Sequence, residues 1–256
     1  MQVSVLASGS KGNCTLIHDG STAILIDVGI STRRIKQKLS ELHLDIRDIS
    51  SILITHEHID HIRGLKILNK NYSIPIYSKF NTLKAIPFIH DIVPNNCHIL
   101  PNNEFNIGNL IVNSFNISHD AIEPVGYNIQ TKHAKITLAT DLGFATDTVR
   151  KALDNSDILV LEANHDINLL QNGSYPWNLK KRILSTRGHL SNTDAGYTIK
   201  NLNYKPQEVI LAHLSEQNNT PQTALNTIQS IIQQQENLNI NLHVASPDKT
   251  VTLNFN

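Results

Sequence analysis

Apolar positions open the chain in short runs, Val3 to Leu6, Thr15 to His18 and Ala23 to Val28, divided by turns containing glycine and serine. Runs of that length between turn residues predict a meander of strands. A helical pattern follows from Thr32 to Leu42, then a buried strand over Ser51 to Ile54, a helix near 62 to 70 and a strand at Ile74 to Tyr77. Further strands are predicted near His98 to Leu100, Leu110 to Asn116, Val125 to Gln130 and Lys135 to Ala139, with a hairpin turn at Asn106-Ile107-Gly108-Asn109. From Thr146 the pattern changes to helix (Thr148 to Leu153), strand (Ile158 to Glu162), then helices over Trp177 to Leu184 and Asp194 to Leu202. Val209 to Leu211 reads as a buried strand. Thr220-Pro221 is an N-cap with proline at the first helical position of an amphipathic helix reaching Gln234. Strands at Leu242 to Ala245 and Val251 to Leu253 close the chain. No composition shift, low-complexity tract or charge block marks a linker, so residues 1–256 are expected to form one domain with two sheets inside helices.

Length and composition add bounds. A chain of 256 residues in one layered α/β domain buries roughly three quarters of its unfolded surface. Lys plus Arg equals Asp plus Glu at 22 each, so net charge neither requires nor excludes a polyanionic partner. Cys14 and Cys97 are too few for a disulfide framework and form no Cys-x-x-Cys pair; both are expected to be buried thiols. The start of the chain lacks a signal-peptide pattern and no run approaches the roughly 20 apolar residues of a membrane span. A cytoplasmic, soluble protein is expected.

The chemistry concentrates in Thr55-His56-Glu57-His58-Ile59-Asp60-His61, straight after Ile52-Leu53-Ile54. Imidazole is the commonest metal ligand, and an ion in a nitrogen/oxygen site needs several such groups converging on one point. In an extended segment His56 and His58 share one side, with Asp60 in step, while His61 turns elsewhere as a helix begins, so one loop can feed two ions. A polar loop with surface histidines would not need four ligands in this order. Three further candidates each follow an apolar strand: His119, Asp141 and His213. Strand ends in α/β folds gather at one rim, where functional groups collect.

In these residues the chain resembles the metallo-β-lactamase superfamily: Asp27 on an early strand, the His-x-His-x-Asp-His loop at 56 to 61, then His119, Asp141 and His213 in order over nearly the whole length. Ser8-Gly9-Ser10-Lys11-Gly12-Asn13, Gly188-His189-Leu190-Ser191-Asn192, His213-Leu214-Ser215 and Asn218-Asn219 are similar to its YycJ (WalJ)-like branch. The resemblance implies a four-layer αβ/βα sandwich and a nuclease. It also implies two divalent ions, one held by His56, His58 and His119, the other by Asp60, His61 and His213, with Asp141 between them. Zinc, manganese and iron all suit such ligands. Asp27 is expected to support the loop rather than bind metal, and Asp60 and His189 are the catalytic candidates.

His189 precedes Ser191-Asn192-Thr193-Asp194, which reads as a capping box at a helix start. There it would meet the scissile phosphate or protonate the leaving oxygen, or else simply pack against the cap. Ser8, Asn13, Ser191 and Asn192 are the substrate-binding candidates. Basic clusters at Arg33, Arg34, Lys36 and Lys38 and at Lys180, Lys181, Arg182 and Arg187 would contact phosphates, or form solvated helix faces. His165, at another strand end, is a candidate to line the pocket. The leading expectation is a DNA exonuclease, 5′ to 3′ by resemblance, in repair or replication-linked processing. A thioester or lactone hydrolase with the same ligands and a non-catalytic metal sensor are the alternatives. A secreted β-lactamase is disfavoured, and the short stretch between Asp141 and His213 argues against the RNA-processing branch with an inserted clamp domain.

Overall fold

A computed structural model describes residues 1–234 and 239–255. Fourteen strands are present among them: β1 (Gln2–Ala7), β2 (Cys14–His18), β3 (Ala23–Ile26), β4 (Ile49–Leu53), β5 (Ile76–Ser78), β6 (Cys97–Ile99), β7 (Phe105–Ile107), β8 (Leu110–Asn116), β9 (Val125–Gln130), β10 (Lys135–Ala139), β11 (Ile158–Glu162), β12 (Glu208–Ala212), β13 (Asn241–Val244) and β14 (Val251–Asn254). They form two mixed sheets of seven strands, in the orders β14-β1-β2-β3-β4-β5-β6 and β13-β12-β11-β10-β9-β8-β7.

The four layers follow from side-chain alternation. In β3, Ile24 and Ile26 enter the core between the sheets, whereas Ala23 and Leu25 face helices. In β11, Ile158 and Val160 enter the same core, and Leu159 and Leu161 pack on the other side against Val149, Ala195 and Ile228 of the helices. Strands covered on both faces read as unbroken apolar runs, which is why those segments carry so few polar residues. The fold is therefore the expected αβ/βα sandwich.

Several elements differ from the sequence reading. The helix expected near 62 to 70 is two helices, Ile59–Ile62 and Leu65–Tyr72, parted at Gly64. Asp60 thus sits in a short helix, out of the extended alternation that placed it in step with His56 and His58. Short helices at Phe80–Ala85 and Ile167–Asn172 were not anticipated, nor was β7, whose Phe105–Ile107 lies partly where a hairpin turn was expected. The turn itself is tighter, around Gly108 at φ 55°. The final long helix, Pro221–Ile232, opens on the Thr220 cap as expected and stops short of Gln234. Cys14 is buried but Cys97, on an edge strand, is only half-buried.

Candidate metal centre

Strand ends and their first turns build the site. Asp27, Asp141 and His213 follow β3, β10 and β12, and all three adopt left-handed backbone, at φ 57°, 59° and 56°. Such conformations cost non-glycine residues free energy and persist where surrounding contacts enforce them. Here they carry Asp141 and His213 into the groups of converging ligand atoms and Asp27 to the back of the histidine loop. Ile54, just past β4, accepts the Tyr127 hydroxyl at 2.7 Å and Ser78 Oγ at 3.0 Å through its carbonyl, fixing where the histidine loop begins. The loop is then held by close backbone packing: Asn13 N donates to Asp60 O, Val28 N to His61 O and Gly29 N to Asn13 O, each at 2.8 Å. Only glycine fits at 29, because a Cβ there would meet Asp60 O at 1.5 Å.

All seven expected ligands converge. His56 Nε2 lies 3.0 Å from His58 Nδ1, and His119 Nε2 lies 3.4 Å from the same atom. Asp60 Oδ2 lies 3.4 Å from His61 Nε2 and 3.7 Å from His213 Nε2. Asp141 stands between the two groups: its Oδ2 is 3.3 Å from His61 Nε2, and its Oδ1 is 3.9 Å from His119 Nε2.

Hydrogen bonds behind the rings assign their tautomers. His61 Nδ1 donates to Asp27 Oδ2 at 2.7 Å, His119 Nδ1 to the Gly188 carbonyl at 3.1 Å, and His213 Nδ1 to Glu162 Oε1 at 2.9 Å. Thr55 Oγ1 donates to Asp27 Oδ2 at 2.8 Å and so accepts from His56 Nδ1 at 2.9 Å. Four rings therefore present Nε2 to the centre, an arrangement typical of metal-ligating histidine. Asp27 lies behind the loop, and also accepts the Thr55 N–H at 2.9 Å.

The residues fit a metal on two further grounds. Asp141 Oδ2 and His213 Nε2 are buried and have no hydrogen-bond partner among the described residues, and buried polar groups are rarely left so. Among the described residues, no lysine or arginine pairs with the buried carboxylates Asp27, Asp141 and Glu162. Electrostatics follow from that crowding. Burial holds His56 well below its usual pKa, with the His61 charge adding to it, and burial lowers His119 as well. Burial opposes protonation of His61 and His213 too, but carboxylates outweigh it: Asp27, Asp141 and Asp60 hold His61 well above its ordinary value, and Asp141, Asp60 and Glu162 do so for His213.

Glu162 was not anticipated. Fully buried at the end of β11, it accepts His189 Nδ1 at 2.8 Å, His213 Nδ1 at 2.9 Å, and the N–H groups of Leu142 at 2.8 Å and Leu190 at 3.2 Å. With Asp141, His189 and His213 it forms a further group of converging ligand atoms. Its signal is in the sequence, since it ends an apolar strand at the rim where Asp141 and His213 stand just past theirs. His189 lines the cleft beside His119 and His213, as its motif suggested.

The residues expected at the substrate lie deeper. Ser8 Oγ accepts the His213 N–H at 2.7 Å, and Asn13 Nδ2 reaches His61 Nε2 at 3.2 Å and Asp60 Oδ2 at 3.4 Å, so both brace ligands. Asn192 pairs reciprocally with Asn219 at 2.9 Å in each direction, fully buried. Ser191 caps its helix through the Asp194 N–H at 3.1 Å, but its hydroxyl donates to the Asp194 carboxylate at 2.6 Å, so only half of the capping box forms. All four are buried, and none of them is among the residues that line the cleft. His165 is also buried, and its ring nitrogens have no hydrogen-bond partner among the described residues. The first basic cluster is largely engaged by the protein: Arg34 bonds Pro247 O and Asp248, Lys38 Nζ donates to Asp248 O at 2.6 Å, and Lys36 lies 5.8 Å from the Tyr72 ring centroid.

A cleft of about 260 Å³ opens over the centre, and its wall includes Ser10, Tyr175, Leu179, Arg182 and Ser215. Two stacked mixed sheets with helices outside and a histidine–aspartate centre at their rim define the class of metallo-β-lactamase folds. Residues 22–214 match the β-lactamase superfamily domain. The exodeoxyribonuclease YycJ of Bacillus anthracis is 34% identical over 237 residues, covering 91% of this chain and 90% of that protein. The exodeoxyribonuclease WalJ of Streptococcus pneumoniae is 34% identical over 258 residues, covering 98% and 96%. Among solved structures, the metallo-β-lactamase fold protein YhfI of Bacillus subtilis superposes with a TM-score of 0.74 at 16% identity, covering 98% of each chain. The chain belongs to the metallo-β-lactamase superfamily, in the family of the YycJ and WalJ exodeoxyribonucleases.

Proposed function

We propose that the protein is a metal-dependent phosphodiesterase that degrades DNA from an end, with 5′ to 3′ polarity, and serves DNA repair or replication-linked processing in the cytoplasm. The observation that carries the reading is the convergence of two ligand groups on either side of Asp141 beneath an open cleft, in a chain that matches two named exodeoxyribonucleases along almost its whole length. His56, His58 and His119 would hold one ion and Asp60, His61 and His213 the other, with Asp141 shared. Zinc or manganese suits these donors, iron as well. When bound, such cations would make water a stronger nucleophile at neutral pH and neutralise charge on a phosphodiester.

The chain's own groups supply the rest. Asp60, within reach of His61 and His213, is placed to orient the attacking water through its carboxylate. Glu162 fixes the His189 ring through Nδ1 and leaves the other ring nitrogen for the cleft, where it can hand a proton to the leaving 3′-oxygen. Arg182, in the cleft wall, adds positive charge beside the path of the backbone phosphates. No helix among the described residues is long and apolar enough to cross a membrane.

The test is metal-replete protein assayed on 5′- and 3′-labelled single- and double-stranded DNA and RNA beside a thioester, with Asp60→Ala as the control. Stepwise release of nucleotides from the 5′ end, weakening as salt rises and lost in Asp60→Ala, supports the reading. Thioester turnover with DNA left intact overturns it.

A further inference from the structure

The cleft wall contains a feature that phosphodiester chemistry alone does not require. Tyr175 lies half-buried in it, within the connection between the helices Ile167–Asn172 and Trp177–Ile183. Two residues on, Trp177 is 61% exposed, with Lys181 Nζ 5.5 Å from its ring centroid. It is the one tryptophan of the chain.

The connection is held in shape. Lys180, a buried lysine on the second helix, turns back and donates through Nζ to Gln171 O at 2.8 Å and Gly173 O at 2.7 Å, tying the start of the turn that carries Tyr175 to the helix that follows it. Pro176 caps the second helix and restricts the backbone beside Tyr175. Further along, Arg182 Nε donates to Asp120, and Arg187 Nε donates to the His119 carbonyl at 3.2 Å, tying the region to the loop that supplies a ligand. The backbone that carries one aromatic ring is thus braced beside the candidate metal centre, and a second ring stands outside it with a cation over its face.

Aromatic rings on a braced turn, flanked by lysine and arginine next to a centre suited to phosphate chemistry, suit an unpaired strand of nucleic acid, because bases stack on such rings whatever their sequence. We propose that Tyr175 stacks the terminal base of a single-stranded DNA end and that Trp177 with Lys181 receives the following base and its phosphate. This rests on the nuclease reading and deepens it: the wall selects a frayed or single-stranded end, and Arg182, already oriented by Asp120, contacts the terminal phosphate.

The test uses Trp177 as a reporter. Cleavage-deficient Asp60→Ala protein is titrated with a 5′-phosphorylated single-stranded oligonucleotide and with the same strand carrying an abasic terminal residue, while tryptophan emission is followed. The abasic end should bind about tenfold more weakly than the intact one, a gap in the range of a single stacked base. Adding Tyr175→Ala should weaken the intact end by a similar factor and abolish the difference between the two ends, whereas Tyr175→Phe restores it. Tyr175→Leu, which fills the space without an aromatic face, should behave as alanine does and covers the case in which the alanine variant folds poorly. In the otherwise native, metal-loaded enzyme, Tyr175→Ala should raise KM more than it lowers kcat. Equal discrimination of the two ends by Tyr175→Ala and its parent overturns the stacking proposal. Failure of the native enzyme to cleave any DNA would instead remove the reading on which it rests.

Discussion

Glu162 Oε1 accepts His213 Nδ1 at 2.9 Å, and the same oxygen accepts His189 Nδ1 at 2.8 Å. One buried carboxylate therefore orients a proposed metal ligand and the proposed proton donor together. Glu162→Gln should weaken metal affinity 10- to 100-fold, the usual cost of losing an orienting partner of a ligand histidine. The same variant should reduce kcat with metal saturating, because His189 loses its partner as well. Titration of the purified variant with zinc or manganese, followed by assay at saturation, separates the two effects; unchanged affinity would show that Glu162 does not support His213.

Asp27 answers to both ends of the histidine loop, taking the Thr55 N–H and hydroxyl on one side and His61 Nδ1 on the other. Asp27→Ala removes three buried hydrogen bonds and leaves a residue with less tolerance for φ 57°. A loss of about 2 to 4 kcal/mol in folding stability is expected, with metal binding weakened in parallel. Urea denaturation of the metal-free protein measures the first part without interference from the second.

Gly29→Ala tests the packing that holds Asp60. A methyl group cannot occupy a position 1.5 Å from the Asp60 carbonyl, so the loop must move away from the turn carrying Asn13. Overpacking of this kind costs about 1 to 3 kcal/mol when neighbours yield, and more when they are backbone. Metal content after purification should fall together with the denaturation midpoint.

Metal removal should destabilise the native chain, because the crowded carboxylates and the bare His213 Nε2 lose their counter-ligand. At a free metal concentration about one hundred times Kd, binding contributes roughly 2.7 kcal/mol, which chelation should abolish. Since neighbouring carboxylates favour the protonated forms of His61 and His213, metal must displace protons there. Affinity should therefore fall as pH is lowered, with proton release visible as a dependence of calorimetric heat on buffer.

His165 makes the acid side of the stability profile steeper. Burial, the main cause, lowers its pKa from 6.5 to about 4 against the pull of Glu162. The unfolded chain takes up this proton first, so stability is lost as pH falls from 6.5 toward 4. Between pH 7 and pH 5 the loss from this one residue is about 2 kcal/mol. His165→Leu, which leaves no ring nitrogen unpaired, should flatten that part of the curve in urea midpoints measured at both pH values.

The amino-acid sequence by itself determined the parts governed by local pattern. Apolar runs such as Ile136 to Ala139 and Val209 to Leu211 declare buried strands, and the residues just beyond them, Asp141 and His213, stand where strand ends meet the rim. The histidine loop was legible because most of its ligands are neighbours in the chain. Tertiary structure alone decided which distant groups serve those ligands. Glu162 lies 51 residues from His213, and Ser8 lies 205 from it, distances over which chain pattern carries no pairing information. The same holds for the basic residues: Arg34 and Lys38 look like phosphate contacts until the turn at 246 to 249 folds against them. Asp60 shows the limit at short range, since the helix begins at Ile59 and claims a residue that alternation puts in an extended segment. Periodicity fixes which face a residue occupies; only the packing of two sheets fixes what it meets there.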